Sequence, residues 1–242
     1  YNVGYTCSNV GDNVFSKSVK VIPNVESWRC ISVDNMFKAI RSMETNSVYG
    51  WSVASDLQTN GSFLTDKNNL DTHLIKNTEW GAVAYLSKSQ YGKNVDEIWV
   101  SNSKFYTTGC AGATVSASTY DGCNYTYETV GGVKASSTGT IYGVYGLSGI
   151  IERTSSYVNN SNSALTTYGQ SIINATDKYK DVYLKGTTDD NANNYALLVN
   201  KKGDATYETS FYTGASGVKP WFADYGYTPN STTPWFQRSG VS

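Results

Sequence analysis

The chain has 242 residues, with 39% hydrophobic and 16% charged residues and a formal net charge of −1; this length suits one large domain or two small ones. No basic block stands ready to meet a polyanion, so nucleic-acid binding is not expected. No apolar run reaches the roughly 18 residues that a membrane-crossing helix needs.

Twenty Tyr, six Trp and 22 Gly, with abundant Ser, Thr and Asn, suit short strands joined by long polar loops. The chain opens at Tyr1 without Met or an apolar leader, and so reads as a processed product or part of something longer. No repeat period and no charged or Pro-rich linker divides it, and a single domain over 1–242 is expected.

Four cysteines, Cys7, Cys30, Cys110 and Cys123, include no CxxC pair, which argues against a zinc ribbon or a thioredoxin-type site. In "GCAGATVSASTYDGC" each cysteine follows a glycine. A Cys110–Cys123 bridge would close a loop whose cross-link contributes roughly 3 kcal/mol in the chain-entropy model. Cys7 and Cys30 then pair by elimination, in a chain exported to an oxidising compartment. The alternative is four free thiols in a cytosolic protein.

In chain order, "SVDNMFKAIRSME" predicts a first helix, capped by Ser32 or Asp34, with Met36, Phe37, Ile40 and Met43 on one face. "NTEWGAVAYLSKSQYG" predicts a second, with Asn77 or Thr78 as cap, Glu79 in the first turn and Gly92 as the stop. Its buried stripe is Trp80, Val83, Ala84 and Tyr91. Gly81 costs this helix about 1 kcal/mol against Ala, which implies close packing there. His73, the single histidine, precedes this helix without a second His, a Cys pair or a nucleophile motif, and a surface or capping role is expected for it. Beyond residue 92, "DEIWV", "GTIYGVYG", "KDVYL" and "NYALLV" predict short strands. Helices first and strands later argue for an α+β fold.

"TDKNNLD" and "TTDDNANNY" gather Asp and Asn but lack the spacing of a calcium loop, and they read as polar turns. The tail "KPWFADYGYTPNSTTPWFQ" concentrates Trp221, Phe222, Tyr225, Tyr227, Trp235 and Phe236 among three prolines. Stiffened loops carrying aromatics offer large contact area at little entropic cost. Trp221, Phe222, Tyr225, Tyr227 and Trp235, with Asp189 and Asp190 of the neighbouring polar loop, are therefore the expected ligand-binding residues. The alternative is a satellite core beneath a long loop.

Four stretches, in order, resemble the formylglycine-generating-enzyme, or sulfatase-modifying-factor, domain. "NVESWRCISVDNMFKAI" resembles its Trp-containing entry and first helix. "LIKNTEWGAVAYLS" resembles its L-P-T-E-A-E-W-E-Y-A-A helix, with Glu79 and Trp80 at corresponding places. "GTIYGVYGLSGIIE" resembles its G-L-x-D-M-x-G-N-V-W-E-W segment, and "PWFQRSG" its R-G-G-S stretch. The resemblance runs from about residue 20 to the end and also extends to bacterial surface or phage-borne proteins built on this domain. It implies a C-type-lectin-like fold: two helices beside a small, twisted, mainly antiparallel sheet with long loops. It also implies a further strand after the R-G-G-S stretch, and that strand would be missing here. The expected account is that the natural chain continues into that strand; the alternatives are a strand-donating partner or self-assembly at the open sheet position, or a terminus re-routed to cover the edge.

The departures from the family decide the expected chemistry. Its oxidases hold copper through a late cysteine pair, whereas no cysteine follows Cys123. Its iron-dependent sulfoxide-synthase relatives need several histidines. Neither ligand set is present, so no enzyme activity, catalytic residue, transition metal or cofactor is expected. Calcium stays open. The family's calcium-binding segment here reads Gly149-Ile150-Ile151-Glu152-Arg153, with Gly146 in place of Asp, and only Glu152 could carry over. The expected function is an exported, non-catalytic binding module of a bacterial surface or phage-like particle, outside the cell, recognising a glycan or protein receptor through aromatic and polar loops. The alternative is a structural subunit of an extracellular fibre or particle.

Overall fold

The computed structural model describes residues 19, 22–44, 71–101, 103, 107–112, 123–149, 152–159, 162–184, 196–197, 229 and 233–238. The first helix, α1 (Val33–Ser42), starts at Ser32, whose Oγ accepts from the Asn35 N–H at 3.3 Å. Phe37 and Met43 are buried, while Met36 and Ile40 pack at the margin of the core. Spacing of 3.6 residues per turn is enough to make this face.

The second helix, α2 (Asn77–Ser87), is shorter than expected and begins one residue earlier. Lys76 occupies the N-cap position, whereas Asn77 and Thr78 lie inside the first turn and are buried. Residues 88–96 are turns and a bend rather than helix. Tyr91 leaves the expected stripe and is 79% exposed. Trp80 and Ala84 are buried with Ile98 and Leu147, and Val83 packs against them. Gly81 is buried as well.

A third helix, α3 (Ser163–Asn174), falls where only strands and loops were expected. Its N-cap, Asn162, accepts from the Ala164 N–H at 2.7 Å. The helix breaks its geometry at Gly169 (φ −150°, ψ 22°).

Four strands form one mixed sheet: β1 (Glu152–Asn159), β2 (Asp181–Leu184), β3 (Ala196–Leu197) and β4 (Trp235–Arg238), in the order β3-β2-β1-β4. β1 and β2 run parallel, with α3 as their crossover, and Tyr157 pairs with Val182 in the register. The β1–β4 and β2–β3 pairings are antiparallel. Two of the three pairings are thus antiparallel, as expected of a mainly antiparallel sheet, and the central pair is parallel because a helix rather than a tight turn joins β1 to β2. Of the expected strands, residues 181–184 and 196–197 form. Residues 96–100 stay outside the sheet, and residues 139–146 are turns and irregular chain, with positive φ at Gly139 and Gly146. The expected strand beyond the chain lies outside the described residues.

β1 is central and Ser/Thr-rich. Thr154, Ser155, Ser156, Tyr157 and Val158 are all buried. Small hydroxyls let the chain entering α2 lie directly on this strand. Ser155 N–H donates to the Ile75 carbonyl at 2.9 Å, and Ser155 Oγ donates to the Leu74 carbonyl, also at 2.9 Å. The main core joins Val33 and Phe37 of α1 to Leu165 and Ile172 of α3, with Leu74, Tyr157 and Trp235 between them. The fold is α+β, with three α-helices and a small mixed sheet among the described residues.

Candidate functional site

The most concentrated polar chemistry lies at the first turn of α2. A helix leaves its first N–H groups without internal partners, and a lysine N-cap offers no acceptor for them. The sheet supplies the acceptors instead. Asn77 N–H donates to Ser156 Oγ at 2.7 Å, and Thr78 N–H and Oγ1 donate to Asp181 Oδ2 at 3.0 and 2.8 Å. The Asp181 carboxylate thus sits at the positive end of the helix dipole, where an anion is favoured. Glu79 Oε2 accepts from the Lys76 N–H at 2.9 Å.

Arg238 completes this network. It is fully buried, with Nε donating to Asn77 Oδ1 at 2.6 Å and Nη2 donating to the same oxygen. Its guanidinium lies 4.5 Å from the Trp80 ring centre, a cation–π contact inside the core. Asn77 Nδ2 in turn donates to the Tyr183 hydroxyl at 2.6 Å. Asn77, Tyr183 and Arg238 are each 0% exposed and Asp181 is 1% exposed, so these groups face one another rather than solvent. The cluster fixes α2 on the sheet.

A second cluster centres on His73. Its Nδ1 lies 3.0 Å from Asp71 Oδ1 and its Nε2 lies 2.9 Å from Glu79 Oε1. Lys76 Nζ is 3.2 Å from the same Glu79 oxygen, and Lys178 Nζ is 2.7 Å from Asp71 Oδ2. The bond from Lys178 outweighs the small desolvation of Asp71, and with His73 it holds that carboxyl below the usual aspartate range. His73, half-buried, thus bridges Asp71 and Glu79 at the entry to α2.

Aromatic and aliphatic side chains stand out in the two loops that follow α2. Tyr91 is 79%, Val95 85%, Val130 84% and Tyr142 89% exposed. The loops are braced from beneath. Lys93 Nζ and the Trp99 N–H both donate to the Lys134 carbonyl at 3.0 Å, and Lys134 Nζ stands 4.3 Å above the Trp99 ring. Trp99 meets Tyr125 with ring centres 6.2 Å apart. Burial, with Lys134 and Lys88 nearby, draws the Lys93 ammonium below the usual lysine range against the opposing pull of Asp96 and Glu97. Burial raises the Tyr145 hydroxyl. This arrangement presents apolar faces on a fixed base, which suits recognition. The sequence does carry a signal for it, since "YTYETVGGVKASSTGTIYGVY" is the Tyr, Gly and Ser mixture of binding loops. Its alternation reads as a strand instead.

The residues expected to bind ligand fall into two groups. Trp221, Phe222, Tyr225, Tyr227, Asp189 and Asp190 lie outside the described residues. Trp235 does not lie on a recognition surface: it is 4% exposed, 5.4 Å from the Tyr157 ring, and part of the main core. Phe236 is likewise fully buried, 4.5 Å from the Tyr183 ring. The end of the aromatic tail is thus core, because β4 pairs with the central strand and both faces of that strand are covered.

Cys110 and Cys123 form the expected disulfide, with Cα atoms 5.5 Å apart. It sits beside the backbone bridge between Ala111 and Tyr125 and so anchors one of the braced loops. Cys30 is disulfide-bonded too, and its expected partner, Cys7, lies outside the described residues. Among the described residues, no group of three or more His, Cys, Asp or Glu side chains is placed to hold a metal ion. No helix among them is long and apolar enough to cross a membrane. Compared with known proteins, the chain matches no family model, no curated protein and no solved structure.

Proposed function

We propose that the chain is an exported, non-catalytic binding module of a bacterial surface or phage-like particle, recognising a glycan or protein receptor through aromatic and polar loops. The observation that carries this reading is the pair of braced loops. Tyr91 and Tyr142 are held almost fully in solvent above a base fixed by Lys93, Trp99 and Lys134. Exposed tyrosines supply contact area and a hydroxyl at small entropic cost. The disulfide beside this base suits a protein that works in an oxidising compartment.

The same reading takes the domain as C-type-lectin-like and akin to the formylglycine-generating enzymes. Its support is that the four resembling stretches, far apart in the chain, meet at α2 or at the residues leading into it. Arg238 of "PWFQRSG" bonds to Asn77 and stacks on Trp80 of "LIKNTEWGAVAYLS". Leu147 of "GTIYGVYGLSGIIE" packs against that same Trp80. Phe37 of "NVESWRCISVDNMFKAI" shares the main core with Leu74, the first residue of the α2 stretch. Among the described residues, the buried charged groups Asp181 and Arg238 are committed to scaffold contacts, which fits a module without catalysis.

A glycan array and a cell-surface binding screen with the whole chain test the reading. Tyr91→Ala and Tyr142→Ala should each weaken binding several-fold with unfolding midpoints unchanged. Trp221→Ala and Tyr227→Ala report on the tail in the same assay. Unaltered binding in all four variants overturns the loop assignment, and a chain that elutes from a sizing column as a large assembly favours the fibre subunit instead.

A further inference from the structure

We propose that the apolar hollow beside α1 is the seat of the chain's own segment 8–18, with Phe15 as the side chain that fills it. The inference is independent of the receptor-binding reading.

α1 carries two apolar rows. Val33 and Phe37, one turn apart, belong to the main core. Met36 and Ile40, also one turn apart, are only half-buried, and they line a hollow of about 180 Å³. Val19, Trp28 and Ile31, from the chain before the helix, and Leu74, from the chain entering α2, line it as well. Every lining side chain is aliphatic, aromatic or a thioether. A water molecule there would lack the polar partners it needs, whereas an apolar cavity of roughly 150 Å³ takes up benzene. The hollow thus matches a phenyl ring in size and in chemistry.

Two observations identify the occupant as the segment before Val19. Val19 itself lines the hollow, so the chain that precedes it starts at the rim. Cys30, between Trp28 and Ile31, is disulfide-bonded. Cys110 and Cys123 are bonded to each other, which leaves Cys7 as its partner among the chain's four cysteines. A disulfide holds its two Cα atoms within about 7 Å. Residues 8–18 are therefore tied at both ends, at Val19 and at Cys30, to the stretch of chain that lines the hollow. A group tethered in this way competes at an effective concentration on the order of millimolar, which places it ahead of a free apolar solute at lower concentration.

Within this segment, "SNVGDNVFSKS", the apolar side chains are Val10, Val14 and Phe15. Phe15 is the only aromatic one, and it stands four residues before Val19, a span of at most about 14 Å. Seating its ring removes the largest apolar side chain of the segment from water and fills a cavity that would otherwise lack contacts on one side.

The chain has two methionines, Met36 in the hollow and Met43 buried elsewhere, so methyl NMR of the oxidised whole chain reads the hollow and a control separately. The Phe15 ring protons should show nuclear Overhauser contacts to the Met36 methyl, and saturating the solution with benzene should leave that methyl in place. In Phe15→Ala, benzene should shift the Met36 methyl and leave Met43 unmoved. A wild type without the Phe15–Met36 contact overturns the proposal, whether or not the variant folds. A Met36 contact from a different residue does the same, as does one that appears only when the protein concentration is raised, which would put a second copy in the hollow. A Met36 methyl that responds to benzene equally in wild type and variant means that the hollow takes free apolar ligands, and that also overturns it.

Discussion

The Trp235 indole rests on Gly169: a Cβ placed at that glycine would fall 2.1 Å from two carbons of the ring. The missing side chain of α3 is what admits an indole from β4 to the core. Gly169→Ala should lower unfolding stability by about 1–3 kcal/mol, because a rigid ring packed on Tyr157 cannot yield. Trp235→Ala should cost more, about 3–5 kcal/mol, as a buried large-to-small change. Urea denaturation measures both, and a Gly169→Ala protein as stable as wild type would show that the ring can move aside.

The bond from Arg238 to Asn77 sets a second expectation. Asn77→Ala removes one acceptor of the fully buried Arg238 guanidinium and one donor to the Tyr183 hydroxyl. Losing a hydrogen bond to a buried charged group costs about 1.5–3 kcal/mol. Asn77→Asp keeps an oxygen opposite Arg238 and should lose less. Equal losses in the two variants would mean that the guanidinium does not depend on that oxygen.

Asp34 links α1 to α3. Its Oδ1 accepts from the Ser171 N–H at 2.6 Å, and its Oδ2 lies 2.7 Å from Lys38 Nζ. Burial pushes this carboxyl upward, but the bonds from Lys38 and Ser171, with the charge of Lys38, together hold it below the usual aspartate range. A carboxyl lowered on folding gives stability that is present above its unfolded value and lost as pH falls through the folded one. Asp34→Asn should therefore be less stable than wild type near neutrality, and the two should converge in acid. Parallel stability curves down to about pH 2 would contradict the linkage.

Reduction of the Cys110–Cys123 bridge should lower stability by roughly 3 kcal/mol, the chain-entropy value for a loop of this size. The chain, unfolded without reductant and alkylated, should show no modified cysteine by mass spectrometry. Label at Cys110 or Cys123 would mean that the bridge does not form.

The sequence by itself determined the elements whose order is local. In α1, Ser32 and the spacing of Phe37, Ile40 and Met43 specify cap and face together, since both signals lie within a few residues. The same holds for the body of α2, for β2 in "KDVYL", and for the glycine-flanked Cys110–Cys123 loop. Tertiary structure decided the rest. β1 shows no apolar alternation because its hydroxyls bond to neighbours: Thr154 Oγ1 to the Phe236 carbonyl of β4, and Ser155 Oγ to the Leu74 carbonyl of the chain crossing above it. α3 is hidden by Thr, Tyr and Gly, residues of modest helix preference, one of which exists to seat Trp235. The tail residues Trp235 and Phe236 look like a recognition patch until β4 pairs with β1 and buries them. The acceptors that hold the start of α2, Ser156 and Asp181, come from 79 and 103 residues away from the groups they cap, and Arg238 from 161 residues beyond Asn77. Periodicity reports which face of an element is apolar. Which distant polar group completes that element is settled only when folding brings the two together and leaves neither one to water.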